Sequence, residues 1–242
     1  MGDDEYHPLE QSGSNLTEAG GIGYMIVDVV DSLQIMGLED EYSRARTWVS
    51  EKLSFERDDD FSTFEVCQEI VYIRSVFSFP SCQTTIRVLG GLLSAYHLSG
   101  EDPIYLEKAI DLADRMLPAF ETPSGLPFPL VNLGKGGGHH GKDFPGFSSI
   151  AEVATLQLEF RYLSHLTGDE KYWRIVEKVR GSLLKYLCNL FTSLNKVMDV
   201  VKRARLPHGL ASVFISQVSL HSSQNLCTHH GLESTKVDMT PL

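Results

Sequence analysis

The sequence predicts an all-α protein assembled from helical hairpins. Apolar residues recur with the helical period of three to four along most of the chain, whereas alternation with the strand period of two is almost absent. A glycine stop followed by an acidic restart occurs three times, in the segments 37–42, 100–105 and 168–172. Repeated helix pairs form either a solenoid or a closed α/α toroid, and three pairs without a polar terminal cap favour part of a ring.

Six helices are predicted, and capping signals bound several of them. Gly37 ends the first helix, and Gly100 ends the third. Asp102 and Pro103 supply an N-cap and a proline at the first helical position of the fourth. In chain order the predicted helices cover residues 24–36, 38–53, 84–98, 103–117, 148–166 and, for the start of the sixth, 169–178.

Two of these helices carry a clear apolar face, which predicts the side that is buried. In the second helix the face consists of Tyr42, Ala45, Trp48 and Val49. In the fourth helix it consists of Leu106, Ala109, Ile110 and Ala113. Both sets follow the spacing of one side of an α-helix, so we expect them to point into a shared core.

Composition and charge disfavour several classes of partner. The 242 residues carry a formal net charge of −11, which argues against nucleic acid and anionic membranes. No apolar run is long enough for a transmembrane helix, and Met1 is followed by Gly-Asp-Asp-Glu instead of a basic signal region. We therefore expect the targeting segment of the whole protein to lie elsewhere. The four cysteines have neither metal-ligand spacing nor the pattern of a disulfide framework.

The glycine-rich segment GKGGGHHGKD, residues 134–143, contains two adjacent histidines. His139 and His140 are either metal ligands or part of a solvated loop. Adjacent side chains in a flexible glycine run rarely reach the same ion, so we favour the loop.

One segment resembles a known family when an interruption is removed. Residues 64–65, FE, joined to residues 84–100, TTIRVLGGLLSAYHLSG, resemble the first catalytic helix of class I α-1,2-mannosidases, glycoside hydrolase family 47. GYMIVDVVDSLQIMG, SSIAEVATLQLEFRYLSHLTGD and the opening GDDEYHPL also resemble motifs of that family. The resemblance covers residues 2–65, 84–178 and 197–216. It implies about three of the seven hairpins of an (α/α)7 barrel.

Two segments and a tail do not share the resemblance. Segments 66–83 and 179–196 each hold eighteen residues, begin with a valine codon and end with a codon that can finish in AG. We interpret them as in-frame, untranslated-type sequence that is read through, although genuine insertions remain an alternative. The predicted catalytic-domain part is therefore 1–217, interrupted twice. The tail 218–242 is predicted to be unrelated and disordered.

The resemblance assigns chemistry to particular side chains. It implies that Glu65 is the general acid, and its neighbours Phe61 and Phe64 suit a carboxyl with a raised pKa. It places Arg87 at the −1 sugar site, although an ion pair with Glu65 is an alternative role. It also places Glu152 facing the barrel cavity.

Three further acids are less specific. Asp28 and Asp31 match the family's D-x-x-D-T-L, with Ser32 in place of the threonine. They form either an inward polar site or a cap on a neighbouring loop. Glu159 is either outward or part of a polar network.

The implied function is calcium-dependent, inverting hydrolysis of α-1,2-linked mannose from Man9-type N-glycans, in the endoplasmic reticulum or Golgi lumen or outside the cell. The family's base and its Ca²⁺-binding threonine have no match here, so we expect this chain to be inactive and to lack the calcium site. A non-catalytic mannose-binding quality-control protein is the alternative, and a helical-repeat interaction module is a third. No specific protein partner is inferred. The sequon 15–17 is compatible with a secretory protein.

Overall fold

Packed helices form the core, and short strands lie at their margins. A computed structural model describes residues 2–63, 84–140, 147–149, 153, 155–184 and 214–216, with backbone alone at 147–149 and 214–216. Within these ranges the helices are α1 (Tyr24–Ile35), α2 (Glu39–Glu51), α3 (Gly90–Leu98), α4 (Pro103–Met116), α5 (Gln157–Thr167) and α6 (170–184). A π-helical turn, Thr84–Leu89, leads into α3, and a 3-10 turn, Leu117–Phe120, follows α4.

The glycine stops of the repeat are confirmed. Gly37, Gly100 and Gly168 follow α1, α3 and α5 with φ angles of +70°, +73° and +70°. This left-handed backbone is the C-terminal cap that glycine adopts most readily. At the other end of a helix, Asp102 accepts a hydrogen bond from the backbone N–H of Ile104, as predicted for an N-cap.

The predicted apolar faces lie in a single buried cluster. Val49 of α2 and the alanines of α4, Ala109 and Ala113, are fully buried, and the other members of both faces pack partly buried against the cluster. α1 contacts α2 and α3, while α3 contacts α4 and α5. A side chain at Gly91 of α3 would lie 2.8 Å from the carbonyl oxygen of Val27, so glycine permits the close approach of α3 to α1.

Short strands accompany the helices of the predicted all-α fold. β1 (Glu5–His7) pairs with β2 (Ser12–Ser14), and β3 (Asp60–Ser62), β4 (Leu130–Asn132) and β5 (Gly138–His139) form a sheet in that order. β6 (Phe147–Ser149) pairs with β7 (Phe214–Ser216), and every pairing is antiparallel. Strands of two or three residues are too short to produce a period-two pattern, so sequence periodicity does not detect them.

The predicted bounds of the fifth helix were wrong at its start. Residues 147–149 belong to β6, and α5 begins at Gln157. Ser148 and Ser149, which were expected to open the helix, pair with β7. The start of the sixth helix was predicted over 169–178. The described part of α6 covers 170–184, so the helix continues into the segment 179–196. Val179, the first residue of that segment, is buried in the core.

A buried carboxylate fixes the start of α1. Asp4 is fully buried and accepts hydrogen bonds from the backbone N–H groups of Ile22 at 2.9 Å, Tyr24 at 3.0 Å and Leu16 at 3.2 Å. Three backbone donors to one carboxylate compensate for its burial. Asp4 thereby fixes the position of α1 and of the acidic residues that this helix carries.

Among the helices of the described ranges, none has the length and apolar character of a membrane span.

Candidate functional site

A polar seam runs between α1 and the helical segment 84–98. We define this α1–α3 seam by Tyr24, Asp28, Asp31, Arg87 and Ser94, which contact one another across the two segments. The three α1 residues recur at intervals of three and four, so they share one face of the helix. Gly91 allows the backbones to approach closely enough for these side chains to meet.

Arg87 and Asp28 form a bidentate ion pair. Nε of Arg87 donates to Oδ1 of Asp28 at 2.8 Å, and Nη2 donates to Oδ2 at 2.7 Å. The guanidinium also lies over the ring of Tyr24, 4.9 Å from the centroid. Because the two charged side chains are 38% and 35% exposed, the pair contributes only about 1 kcal/mol to stability. Its effect is to fix the direction of the guanidinium.

Asp31 links α1 to α3 one turn further along. Its Oδ2 accepts a hydrogen bond from the hydroxyl of Ser94 at 2.7 Å, and its Oδ1 accepts one from Ser32 at 3.2 Å. Asp28 and Asp31 therefore bind α3 and the turn that precedes it. Of the two roles left open by the sequence, the inward polar site agrees with these contacts, and a loop cap does not.

Two of the predicted site residues, Glu65 and Glu152, lie outside the described residues. The structure therefore leaves the roles of both as predictions, together with the alternative pairing of Arg87 with Glu65. Two described residues close to the interruption, Thr63 before it and Thr85 after it, contact each other. The hydroxyl of Thr85 donates a hydrogen bond to the carbonyl oxygen of Thr63, and both residues are buried.

Glu159 of α5 is a carboxyl placed against the start of α3. One of its carboxyl oxygens, Oε2, is buried and has no hydrogen-bond partner among the described residues. A side chain at Gly90 would lie 3.8 Å from Cγ of Glu159, so the two helices meet at this point. Burial raises the pKa of Glu159 because it disfavours the charged form. Glu159 is therefore directed inward, which rules out the outward orientation.

Glu159→Gln is expected to stabilise the chain at neutral pH. Since the folded-state pKa of Glu159 is raised, its contribution to stability is complete below the unfolded pKa and is lost as pH rises through the folded pKa. The amide removes the charged form, so we expect the free energy of unfolding near pH 7.5 to rise. Near pH 4 the gain should be smaller. Urea denaturation at both pH values measures the difference, with exposed Glu107→Gln as the control.

A gain of equal size at both pH values would contradict this account, because it would separate the effect from ionisation. A gain for Glu107→Gln would do the same, because an exposed carboxyl has no comparable burial penalty.

The adjacent histidines of the glycine-rich loop bind different neighbours. Nε2 of His139 lies 2.8 Å from Oδ2 of Asp60, whereas the ring of His140 packs edge-on against Phe128 at 5.0 Å. No group of three or more His, Cys, Asp or Glu residues within the described ranges is arranged to hold a metal ion. The described residues do not fit a calcium site. The prediction of a solvated loop was wrong for the two histidines, because His139 belongs to β5 and both side chains are half-buried.

Sequence reasoning missed three parts of this arrangement. It did not identify Ser94 as the partner of Asp31, Tyr24 as the ring beneath Arg87, or Asp28 as the partner of Arg87. The available signal was the pair Gly90-Gly91, since adjacent glycines inside a helix indicate a close neighbour.

Comparisons with known proteins all point to one family. The sequence profile of Glycosyl hydrolase family 47 matches residues 1–202. The endoplasmic reticulum mannosyl-oligosaccharide 1,2-alpha-mannosidase of Schizosaccharomyces pombe is 46% identical over 184 residues, which are 76% of this chain and 31% of that protein. The human protein with the same description is 46% identical over 178 residues, which are 74% of this chain and 22% of that protein.

Structural comparison adds a solved relative. The alpha-1,2-mannosidase from Trichoderma reesei superposes with a TM-score of 0.60 at 28% identity, over 76% of this chain and 36% of that one. The chain thus spans about a fifth to just over a third of the length of these relatives.

Proposed function

This chain belongs to glycosyl hydrolase family 47, and we propose on that premise that its protein hydrolyses α-1,2-linked mannose from N-linked oligosaccharides. The observation that carries the proposal is the family match over residues 1–202. The names of the two matched relatives support it, since both are mannosyl-oligosaccharide 1,2-alpha-mannosidases of the endoplasmic reticulum. We extend to this protein the same substrate, a high-mannose N-glycan, and a place in the lumen of the secretory pathway.

The α1–α3 seam supports a sugar-binding role for Arg87. A guanidinium held by Asp28 and by the ring of Tyr24 keeps a fixed direction, and it remains more than a third exposed. Such a group can donate hydrogen bonds to sugar hydroxyls without reorganising when the substrate binds. In this proposal Asp28 is a positioning residue, and Asp31 and Ser94 hold α1 against α3.

Glu65 is the proposed general acid. When Glu65 is joined directly to Thr84, it stands four residues before Arg87 and therefore on the same helix face. Its carboxyl proton passes to the glycosidic oxygen as the bond to the departing sugar breaks. In an inverting reaction a second carboxylate deprotonates the attacking water. We propose that this base lies in the part of the family sequence that has no match in this chain. Glu152 is proposed to line the cavity.

Calcium enters only as a proposal about the whole protein. The described residues do not fit a calcium site. Calcium prefers six to eight oxygen ligands, and we propose that these come from the remaining hairpins of the family barrel.

The test compares two proteins on a free Man9 glycan. The chain of 242 residues is expected to release no mannose, because it lacks the base. A chain extended to family length, without segments 66–83 and 179–196, is expected to release mannose that is initially the β-anomer. A chelator should abolish that release. Mannose release by the shorter chain would contradict the predicted inactivity.

Other outcomes distinguish the alternative functions. Binding of the glycan by the family-length protein without hydrolysis would favour the mannose-binding protein. Neither binding nor hydrolysis would favour the helical-repeat interaction module.

A further inference from the structure

Asn15, Leu16 and Thr17 form the only Asn-x-Ser/Thr triplet in the 242 residues. This triplet is the acceptor sequence for N-linked glycosylation, and such acceptors lie on the surface of secreted proteins. The triplet has no part in the α1–α3 seam. Its position in the fold therefore decides whether it can carry a glycan.

The triplet lies in a turn that is anchored on both sides of the acceptor. β2 ends at Ser14, directly before Asn15. The backbone N–H of Leu16 donates to the buried carboxylate of Asp4 at 3.2 Å. The hydroxyl of Thr17 donates to the carbonyl oxygen of Gly20 at 3.0 Å. These contacts hold the backbone of the turn in place without using the acceptor amide.

Asn15 itself is exposed, and its amide makes no hydrogen bond with another described residue. The amide borders an open polar cavity of about 490 Å³, whose other lining residues include Trp48 and Arg57. A substituent on Nδ2 therefore has space beside the protein and displaces no contact of the folded chain.

We propose that Asn15 carries an N-linked oligosaccharide. The inference rests on the proposed function in one respect, because it requires passage through the lumen of the secretory pathway. In the transfer, Nδ2 of Asn15 forms a bond to C1 of the first N-acetylglucosamine. The bond from C1 to the pyrophosphate oxygen of a lipid-linked oligosaccharide donor breaks, one amide proton is lost, and the lipid pyrophosphate departs.

The timing of the transfer follows from the contacts of Thr17. Its hydroxyl is part of the acceptor sequence, yet in the folded turn it is bound to Gly20. The transferring enzyme therefore acts before this turn closes, while the chain is still extended. The glycan remains exposed afterwards because Asn15 stays at the surface.

The experiment expresses the full chain behind a secretory leader in a eukaryotic host, with an added acceptor triplet after Leu242 to report delivery to the lumen. A peptide N-glycosidase should remove one glycan from Asn15 and convert it to aspartate in the peptide mass spectrum. Asn15→Gln and Thr17→Ala should lose this glycan, whereas Thr17→Ser should keep it. Asn189→Gln is the matched control, because Asn189 precedes Leu-Phe and forms no acceptor triplet.

An unmodified Asn15 in molecules that carry the reporter glycan overturns the proposal, whether or not the variants fold. A glycan that persists in Asn15→Gln at a site other than the reporter also overturns it. Mannose release by the family-length protein is measured separately on a free glycan. Failure of the proposed function and failure of this inference are therefore distinguishable.

Discussion

Deletion of residues 66–83 is expected to raise the thermal unfolding midpoint by about 5–10 °C. Bringing together the two ends of an eighteen-residue loop costs roughly 2.5 kcal/mol of free energy through lost chain entropy. The deletion removes that cost. In a domain of this size each kcal/mol shifts the midpoint by about 2–4 °C. Scanning calorimetry of the deleted and the undeleted chain measures the change.

The contact between Thr63 and Thr85 is the physical reason for choosing this segment. In the deleted chain Thr85 becomes the fourth residue after Thr63, and a helical threonine often donates its hydroxyl to the carbonyl oxygen four residues earlier. The same chain shows this bond twice, from Thr47 to Ser43 at 2.9 Å and from Thr167 to Leu163 at 2.8 Å. The flanks thus already have the spacing of a chain in which 66–83 is absent.

A deletion of 66–82 is the matched control, because it retains Gln83 and leaves Thr85 five residues after Thr63. One additional helical residue rotates the side chain by about 100°, which turns the Thr85 hydroxyl away from its acceptor. We expect a clearly smaller gain from this deletion. Equal gains would show that shortening alone stabilises the chain, and an unchanged or lower midpoint for both would contradict the proposed register.

The sequence predicts most of the helical framework because its signals are local. Gly37, Gly100 and Gly168 take the left-handed conformation at three helix ends, and Asp102 caps α4, as their residue types indicate. These preferences depend on backbone conformation within one turn. They do not depend on which helices later pack together.

The contacts of the site depend on tertiary packing, and they were not predicted. The partners Asp28 and Arg87 are 59 positions apart, and Asp31 and Ser94 are 63 positions apart. A motif can identify the acids, but only the approach of α3 to α1 at Gly91 determines which side chains meet. The short strands were missed for a related reason, because their pairing is set by segments distant in the chain.

The first six residues of the second segment, 179–196, belong to a described helix. α6 continues to residue 184, and Val179 occupies a buried position. In a chain joined from Lys178 to Val197, another valine would follow Lys178 at that position. The core therefore accommodates either sequence at the joint.

Glu65→Gln is expected to lower the rate of mannose release by about 10²–10⁴-fold in the family-length protein that lacks both interrupting segments. The amide has nearly the same shape as the carboxylic acid, but it has no proton to transfer to the departing oxygen. Because substrate contacts are retained, kcat should fall while KM changes little. Steady-state hydrolysis of a Man9 glycan measures both constants.

The matched control is Glu56→Gln, which makes the same chemical change at an exposed residue that precedes β3 in the chain. It should leave kcat within about twofold, as is usual for a surface substitution without partners. The Glu65→Gln protein should still bind the glycan, because the seam formed by Asp28, Arg87 and Tyr24 is unaltered. If Glu65→Gln retained full activity, the general acid would have to be another carboxyl. Glu159, with its raised pKa beside the start of α3, would then be the next residue to replace, since a buried carboxyl retains the proton that an acid catalyst must donate.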